Sequence, residues 1–221
     1  MRRDAVLKRL LDIVGSLVGL VLLAVPMLLI ALAIRLESRG PALFRQRRAG
    51  WRGRPFTMLK FRTMRADVDP YGGSPHSAQD PRLTRVGRFL RRTSLDELPQ
   101  LLNVLVGQMS LVGPRPLYER QAALWDPRQR RRLEVRPGLT GYAQAYGRAA
   151  VTIEEKIEMD VHYVEHRSLW TDLRVIARTI MNMFRGGEVY EQRYSKDRQY
   201  EADGASKPPA SEESQSGSGG H

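Results

Sequence analysis

The feature that most constrains this chain is one almost unbroken apolar stretch near its N-terminus. From Ile13 to Ile34, only Gly15, Ser16, Gly19 and Pro26 interrupt a run of Leu, Val, Ile, Ala and Met. At about 22 residues the run is long enough to cross a bilayer as a helix. A cleaved signal peptide fits less well. The run is long for that role, and Leu32-Ala33-Ile34-Arg35 is a poor small-residue cleavage site.

The flanks carry the topological information. Arg2, Arg3, Lys8 and Arg9 precede the stretch, and Arg35, Arg39, Arg45, Arg47 and Arg48 follow it. Positive charge marks a cytoplasmic flank, and here both flanks are marked. A straight span would carry one basic cluster across. Pro26 lies within the stretch, where it deletes a helix hydrogen bond and favours a kink. A helix that enters, bends at Pro26 and returns to the same face satisfies both flanks, so a re-entrant membrane helix is expected, with an ordinary span kinked at Pro26 as the alternative.

The chain has no cysteine, which removes disulfides, thiolate metal sites and a cysteine nucleophile. Its formal charge is +12, and the tail from Ser195 is slightly acidic, so the excess sits in the body. Such a body suits nucleic acid, acidic lipid headgroups or phosphorylated substrates.

Beyond Gly40-Pro41, residues 42–48 and 56–61 read as the strands of a hairpin about a turn at 49–55. Residues 66–81 form a polar loop with Gly72-Gly73. Helices are expected over 83–92, from near Ser94 toward Val106, over 117–135 and over 152–166. Apolar residues at 169, 173, 176, 177, 180 and 184 give a further helix with a stripe that packs on a core or lies in the membrane interface. Gly113-Pro114-Arg115-Pro116 excludes regular helix or central strand.

The chemistry concentrates in Arg91-Arg92-Thr93-Ser94-Leu95-Asp96-Glu97-Leu98-Pro99-Gln100. Ser94 and Glu97 have capping-box spacing, which accounts for Glu97 structurally and leaves Asp96 unexplained. Two carboxylates in a first helical turn also sit where the dipole favours anions. Their side chains diverge by about 100°, so a division of labour follows, one attacking and the other binding metal or positioning a partner. An ionised aspartate can attack phosphorus and give an acyl phosphate. Beside a pyrophosphate such a pair needs Mg²⁺ and arginines to offset repulsion. Arg91, Arg92, Arg115 and Arg136 are at hand, and the prolines flanking Arg115 stiffen it for bidentate phosphate contact. His162-Tyr163-Val164-Glu165-His166 matches an inverted zinc-protease pattern, but it needs a further ligand such as Glu188, and exposed helix surface is the simpler reading.

The motifs together resemble the bacterial sugar transferases, small monotopic phosphoglycosyl transferases acting on undecaprenyl phosphate. The resemblance covers roughly residues 8–190. It rests on Lys8-Arg9 with Asp12, Pro26, Lys60-Phe61-Arg62-Thr63-Met64, Ser94-Leu95-Asp96-Glu97-Leu98, Gly107 to Ser110, Leu111-Val112-Gly113-Pro114-Arg115-Pro116, Val135-Arg136-Pro137-Gly138-Leu139-Thr140-Gly141, Ala143-Gln144, and Asp160 to Val164 leading to Leu173.

The resemblance implies that Asp96 is the nucleophile and that Asp96 and Glu97 work with Mg²⁺. Arg115 and Arg91 would contact substrate, with Lys60, Arg62, Arg136 and Gln144 as further substrate-binding candidates. It also implies a membrane helix broken at Pro26. The implied partners are a UDP-sugar, undecaprenyl (polyprenol) phosphate and inner-membrane lipids, with no nucleic acid and a homo-oligomer left open. The implied place is the cytoplasmic face of the bacterial inner membrane. Val25 stands where many relatives have serine, and Tyr142 and Tyr146 where many have Trp and Asn.

The expected fold is α+β and mainly helical. It comprises a re-entrant helix with its basic flank over 1–36, a catalytic domain over 37–194 with a small hairpin and interfacial amphipathic helices, and a disordered tail over 195–221. The alternative function is a membrane-tethered binder of nucleic acid or acidic lipid, which would need neither Asp96-Glu97 nor the Gly-Pro-Arg-Pro loop.

Overall fold

The computed structural model describes residues 2–68, 75, 77, 79–123, 125–147 and 151–185. The expected tail from 195, Gly72-Gly73, His76 and Glu188 lie outside the described residues. The described chain is mainly helical, with two small two-stranded pairings and one long apolar N-terminal helix.

Helix α1 runs from Arg2 to Glu37 and contains Pro26. The expected break is thus not an end of the helix. Pro26 removes one ladder bond, the one that would reach Leu22, and leucine- and alanine-rich turns continue the helix on both sides.

Both halves of α1 rest on the same body. Lys8 Nζ donates to Val112 O at 3.0 Å and to Asp172 Oδ2 at 2.6 Å. The Arg9 guanidinium donates to Val104 O at 2.7 Å and Leu105 O at 2.8 Å. Asp12 Oδ1 accepts from Ser110 Oγ at 2.9 Å and from the Leu111 N–H at 2.8 Å. Further along, Met27, Ile30, Ala31 and Ile34 pack against Phe61 and Leu90. The Glu37 carboxylate then accepts the Arg85 and Val86 N–H groups at 2.6 and 2.8 Å, satisfying orphan donors at the start of α2 (Arg85–Thr93). The opposite face, from Val14 and Val18 through Leu22, Val25 and Leu29 to Leu36, is exposed and apolar.

Strands β1 (Leu43–Ala49) and β2 (Pro55–Phe61) form the expected antiparallel hairpin, with Leu43 opposite Phe61 and Ala49 opposite Pro55. The outer edge of β2 is closed by one side chain from α3 (Gln100–Leu105). The Asn103 amide accepts the Leu59 N–H at 3.0 Å and donates to Thr57 O at 2.8 Å, as a third strand would. Asn103→Ala strands both backbone groups and is expected to lower stability by about 2–4 kcal/mol. Thermal unfolding in detergent would check this, and an unchanged midpoint would show that the edge is satisfied some other way.

A second pairing was not anticipated from the sequence. Strands β3 (Ser110–Val112) and β4 (Gly138–Thr140) run parallel, Ser110 opposite Gly138 and Val112 opposite Thr140. A Cβ on Gly138 would collide with the Gly113 backbone, so glycine is what lets these chains pass. The crossover between them holds the Gly-Pro-Arg-Pro loop, α4 (Glu119–Ala123), α5 (Pro127–Arg130) and a 3₁₀ turn over Arg131–Glu134.

The single helix expected over 117–135 is therefore wrong. Pro127 lacks an N–H and opens α5, with Asp126 and Gln129 forming a capping box. Helices α6 (Tyr142–Tyr146), α7 (Ile153–His166) and α8 (Leu169–Arg185) complete the body. Thr152 and Glu155 form a capping box at the start of α7.

The stripe read on α8 mostly faces outward. Leu173 and Ile180 are exposed, together with Trp170, Met181 and Met183. The inward face carries Asp172, Val175 and Thr179. Tyr163 OH donates to Asp172 Oδ1 at 2.6 Å, and the Thr140 and Thr179 hydroxyls lie 2.7 Å apart. Two of these three inward residues are polar, which hid the buried face from an apolar-periodicity reading.

Candidate active site

Asp96 and Glu97 are displayed by a sharp change of chain direction. Ser94 takes left-handed angles (φ 57°, ψ 16°) and ends α2, its N–H donating to Arg91 O at 3.2 Å. One 3₁₀ turn, Leu95–Glu97, follows before α3. Leu95 and Leu98 pack on the Ile34–Phe61–Leu90 cluster, and this anchors the turn. The capping box expected between Ser94 and Glu97 is absent, because a left-handed residue cannot present its side chain as an N-cap. Glu97 is thereby released for other contacts.

Those contacts are two cations. Lys60 Nζ, near the end of β2, lies 2.8 Å from Glu97 Oε1, and Arg115 Nη2 lies 3.2 Å from the same oxygen. Burial alone would raise the Glu97 carboxyl, but Lys60 and Arg115 outweigh it and hold it at about 2. Asp96 is 7% exposed and accepts no hydrogen bond from the described residues. Burial pushes its carboxyl above the ordinary range and Glu97 adds to this, while Lys60, Arg91 and Arg115 pull it back. Arg91 is steadied by a 3.1 Å bond from Nε to Thr63 Oγ1. A Cβ on Gly87 would strike the Thr63 carbonyl, so glycine lets α2 approach that closely.

The structure thus brings together Asp96, Glu97, Lys60, Arg91 and Arg115. It does not bring the other candidates to the pair. Arg62 is buried and donates to Ser38 O, Ser38 Oγ and Arg39 O at 2.7–2.8 Å, which ties down the chain leaving α1. Arg136 donates from Nε to Gly107 O at 2.9 Å and lies over the Trp51 ring at 4.7 Å. Burial and the neighbouring Arg9 depress its pKa. Gln144 on α6 reaches Leu139 O at 3.5 Å, and its Oε1 is buried with no hydrogen-bond partner among the described residues. Pro26 is exposed on α1.

His162 and His166 stack on each other at 4.3 Å, and His166 Nδ1 lies 3.0 Å from His162 O. Among the described residues no third donor joins them.

Arg132 and its partner Asp160 were not singled out by role. They form a buried ion pair behind Arg115, and Arg132 Nη2 donates to Arg115 O at 2.8 Å. A signal was present in the sequence: Asp160 is a charge set into the apolar stripe Ile157–Val161–Val164 of α7.

The donor chemistry fits a magnesium ion of a particular kind. Two adjacent carboxylates are available, Glu97 is already engaged by two cations, and no group of three acidic or histidine donors exists among the described residues. That set suits an ion whose remaining ligands are water and substrate phosphate rather than an all-protein cage. A carboxylate with elevated basicity can attack an electrophilic phosphorus, and the three cationic side chains around it can stabilise the negative charge that leaves.

The family model for bacterial sugar transferases matches residues 3–186. The chain is 45% identical over 175 residues to an uncharacterized sugar transferase, EpsL, of Bacillus subtilis, covering 79% of this chain and 86% of that protein. It is 45% identical over 191 residues to a UDP-glucose:undecaprenyl-phosphate glucose-1-phosphate transferase of Caulobacter vibrioides, covering 83% and 72%. A protein of the same name from Escherichia coli is 40% identical over 199 residues, which is 85% of this chain and 42% of that longer protein.

Proposed function

The chain belongs to the bacterial sugar transferase family and is a phosphoglycosyl transferase, and from that premise we propose that it moves a sugar 1-phosphate from a UDP-sugar to undecaprenyl phosphate through a phosphosugar-aspartate. The observation that carries this reading is Asp96, buried, accepting no hydrogen bond from the described residues, and acted on by Lys60, Arg91 and Arg115. The relatives named for UDP-glucose make glucose 1-phosphate the first group to test.

In the first half-reaction an Asp96 carboxylate oxygen attacks the β-phosphorus of the donor. The bond from that phosphorus to the bridging oxygen breaks, and the electron pair leaves with UMP. In the second, a phosphate oxygen of the acceptor attacks the same phosphorus. The acyl-phosphate bond breaks, Asp96 regains its charge, and a polyprenyl diphosphosugar is released. Lys60 and Arg115, both paired with Glu97, would meet a diphosphate placed against Asp96, and Glu97 keeps them positioned. Mg²⁺ held by Asp96 and Glu97 would supply neutralising charge to the phosphates and the departing UMP.

The membrane part of the reading is a re-entrant α1 at the cytoplasmic face. It is supported by the basic residues on both flanks and by anchors from both halves of α1 to one body. The chain has no native cysteine, so Asp4→Cys and Arg39→Cys can be labelled singly with an impermeant thiol reagent. Both should react from the same side in inside-out vesicles, whereas opposite-sided labelling would establish an ordinary span.

The activity is tested by incubating the purified chain with Mg²⁺ and a panel of UDP-sugars, with and without polyprenol phosphate. Donor alone should release up to one UMP per enzyme and add a phosphosugar mass to the peptide holding Asp96. Adding acceptor should start turnover. UMP release that always required acceptor, with no adduct, would replace the covalent route by a ternary complex.

A further inference from the structure

We propose that Arg132 and Asp160 are positioning residues that hold the main chain of Arg115 in its working place, an inference that rests on the role given above to Arg115. The Gly113–Pro116 loop has little means of holding itself. Pro114 and Pro116 have no N–H to donate, so ordinary backbone pairing around Arg115 is sparse. The Gly113 N–H donates to Thr140 O at 2.9 Å and Pro114 O accepts from the Gly138 N–H at 2.9 Å, which secures the loop on one side. On the other side the Ala49 N–H donates to Leu117 O at 3.0 Å. Between these, the Arg115 carbonyl accepts from Arg132 Nη2 at 2.8 Å.

Arg132 is aimed by what surrounds it. Its side chain is 3% exposed, it pairs with Asp160 at 2% exposed, and its guanidinium lies over the Trp125 ring at 4.7 Å. Asp160 sits on α7, so the pair carries the rigidity of a 14-residue helix to the loop. Burial raises the Asp160 carboxyl, and Arg132, then the Arg115 charge and main-chain N–H, pull it back, leaving it at about 6. A fully buried ion pair is a poor investment for stability alone, since apolar residues of similar volume often stabilise as well or better. What this pair supplies that apolar residues cannot is a directed donor at the Arg115 carbonyl, and through it a fixed origin for the side chain that meets Glu97.

The test separates positioning from folding with the double variant Arg132→Met/Asp160→Leu in the full chain, in detergent. Removing both charges leaves none buried and unpaired, so its melting midpoint should match or exceed wild type. Hydrogen exchange in the peptide spanning 111–118 should nevertheless quicken, and UMP turnover should fall on the order of 10–100-fold. Wild-type exchange and turnover in a folded double variant would overturn the proposal. Should the double variant not fold, Asp160→Asn, which leaves Arg132 without its ion-pair partner and should melt lower, is read by exchange and turnover alone, both measured well below its midpoint, with Arg132→Lys as the milder control. The exchange measurement does not depend on activity, so a wild type without UMP release would sink the functional reading and leave the tether to be judged separately.

Discussion

Asp96→Asn is expected to lower turnover by at least about a thousandfold and to leave the protein as stable as wild type or more so. The two outcomes share one cause. Asp96 is buried, accepts no hydrogen bond from described residues, and has its pKa raised by that burial. Its ionised form is therefore tolerated by the fold rather than needed by it. The folded state holds this proton more tightly than the unfolded chain, so stability drains as pH rises from the unfolded aspartate pKa to the folded one. An amide of the same shape lacks that slope. It also cannot form the acyl phosphate, so the phosphosugar adduct should vanish.

The pH profile follows with opposite signs for the two carboxylates. Glu97, held at about 2, stays ionised throughout any usable range, and its stabilising contribution is lost only as pH falls from the ordinary glutamate value toward 2. The acid limb of kcat/KM should therefore report Asp96 losing activity as it takes up a proton. Glu97→Gln removes a like charge beside Asp96 and frees Lys60 and Arg115 to act on it, which should move the limb to lower pH. A limb that stayed in place would mean that it belongs to another group.

A stability effect as large as that at Asn103 is expected at the N-terminal end of α1. Asp172→Leu should cost about 3 kcal/mol, a fall of roughly 6–12 °C in the detergent melting midpoint. Lys8 loses the partner at 2.6 Å that neutralises it, and Tyr163 loses its 2.6 Å acceptor. Lys8 would be left against Val112 O, a neutral acceptor at 3.0 Å. The double variant Lys8→Met/Asp172→Leu removes the stranded charge and should recover most of the loss. If the single variant melted like wild type, the N-terminal half of α1 would be held by packing along its length rather than by this polar lock. With the Glu37 contacts to α2, the lock makes the apolar helix part of the catalytic body and not an anchor appended to it.

Much of this was legible in residue order. The apolar run with two basic flanks determined a long membrane-type helix, because hydropathy and charge act locally and need no partner to be read. The hairpin over 43–61 and α7 with its Thr152–Glu155 cap were likewise local. The importance of Asp96, Glu97, Arg91, Lys60 and Arg115 came from motif order, and the structure gathers all five.

Tertiary structure decided the rest, for reasons that spacing cannot carry. Ser94 and Glu97 have the separation of a capping box, but the backbone turns left-handed at Ser94, and only the packing of Leu95 and Leu98 beneath the turn makes that conformation worth holding. Arg62 shares a motif with Lys60 and Arg136 belongs to another motif of the same ordered set, yet one ties down the exit of α1 and the other bonds Gly107 O. A sequence shows that an arginine is present and not which carbonyl or carboxylate it will meet. The parallel β3–β4 pairing joins segments more than 20 residues apart, and the buried face of α8 is written in Asp172 and Thr179. Polar residues buried by specific partners look like surface until those partners are in place.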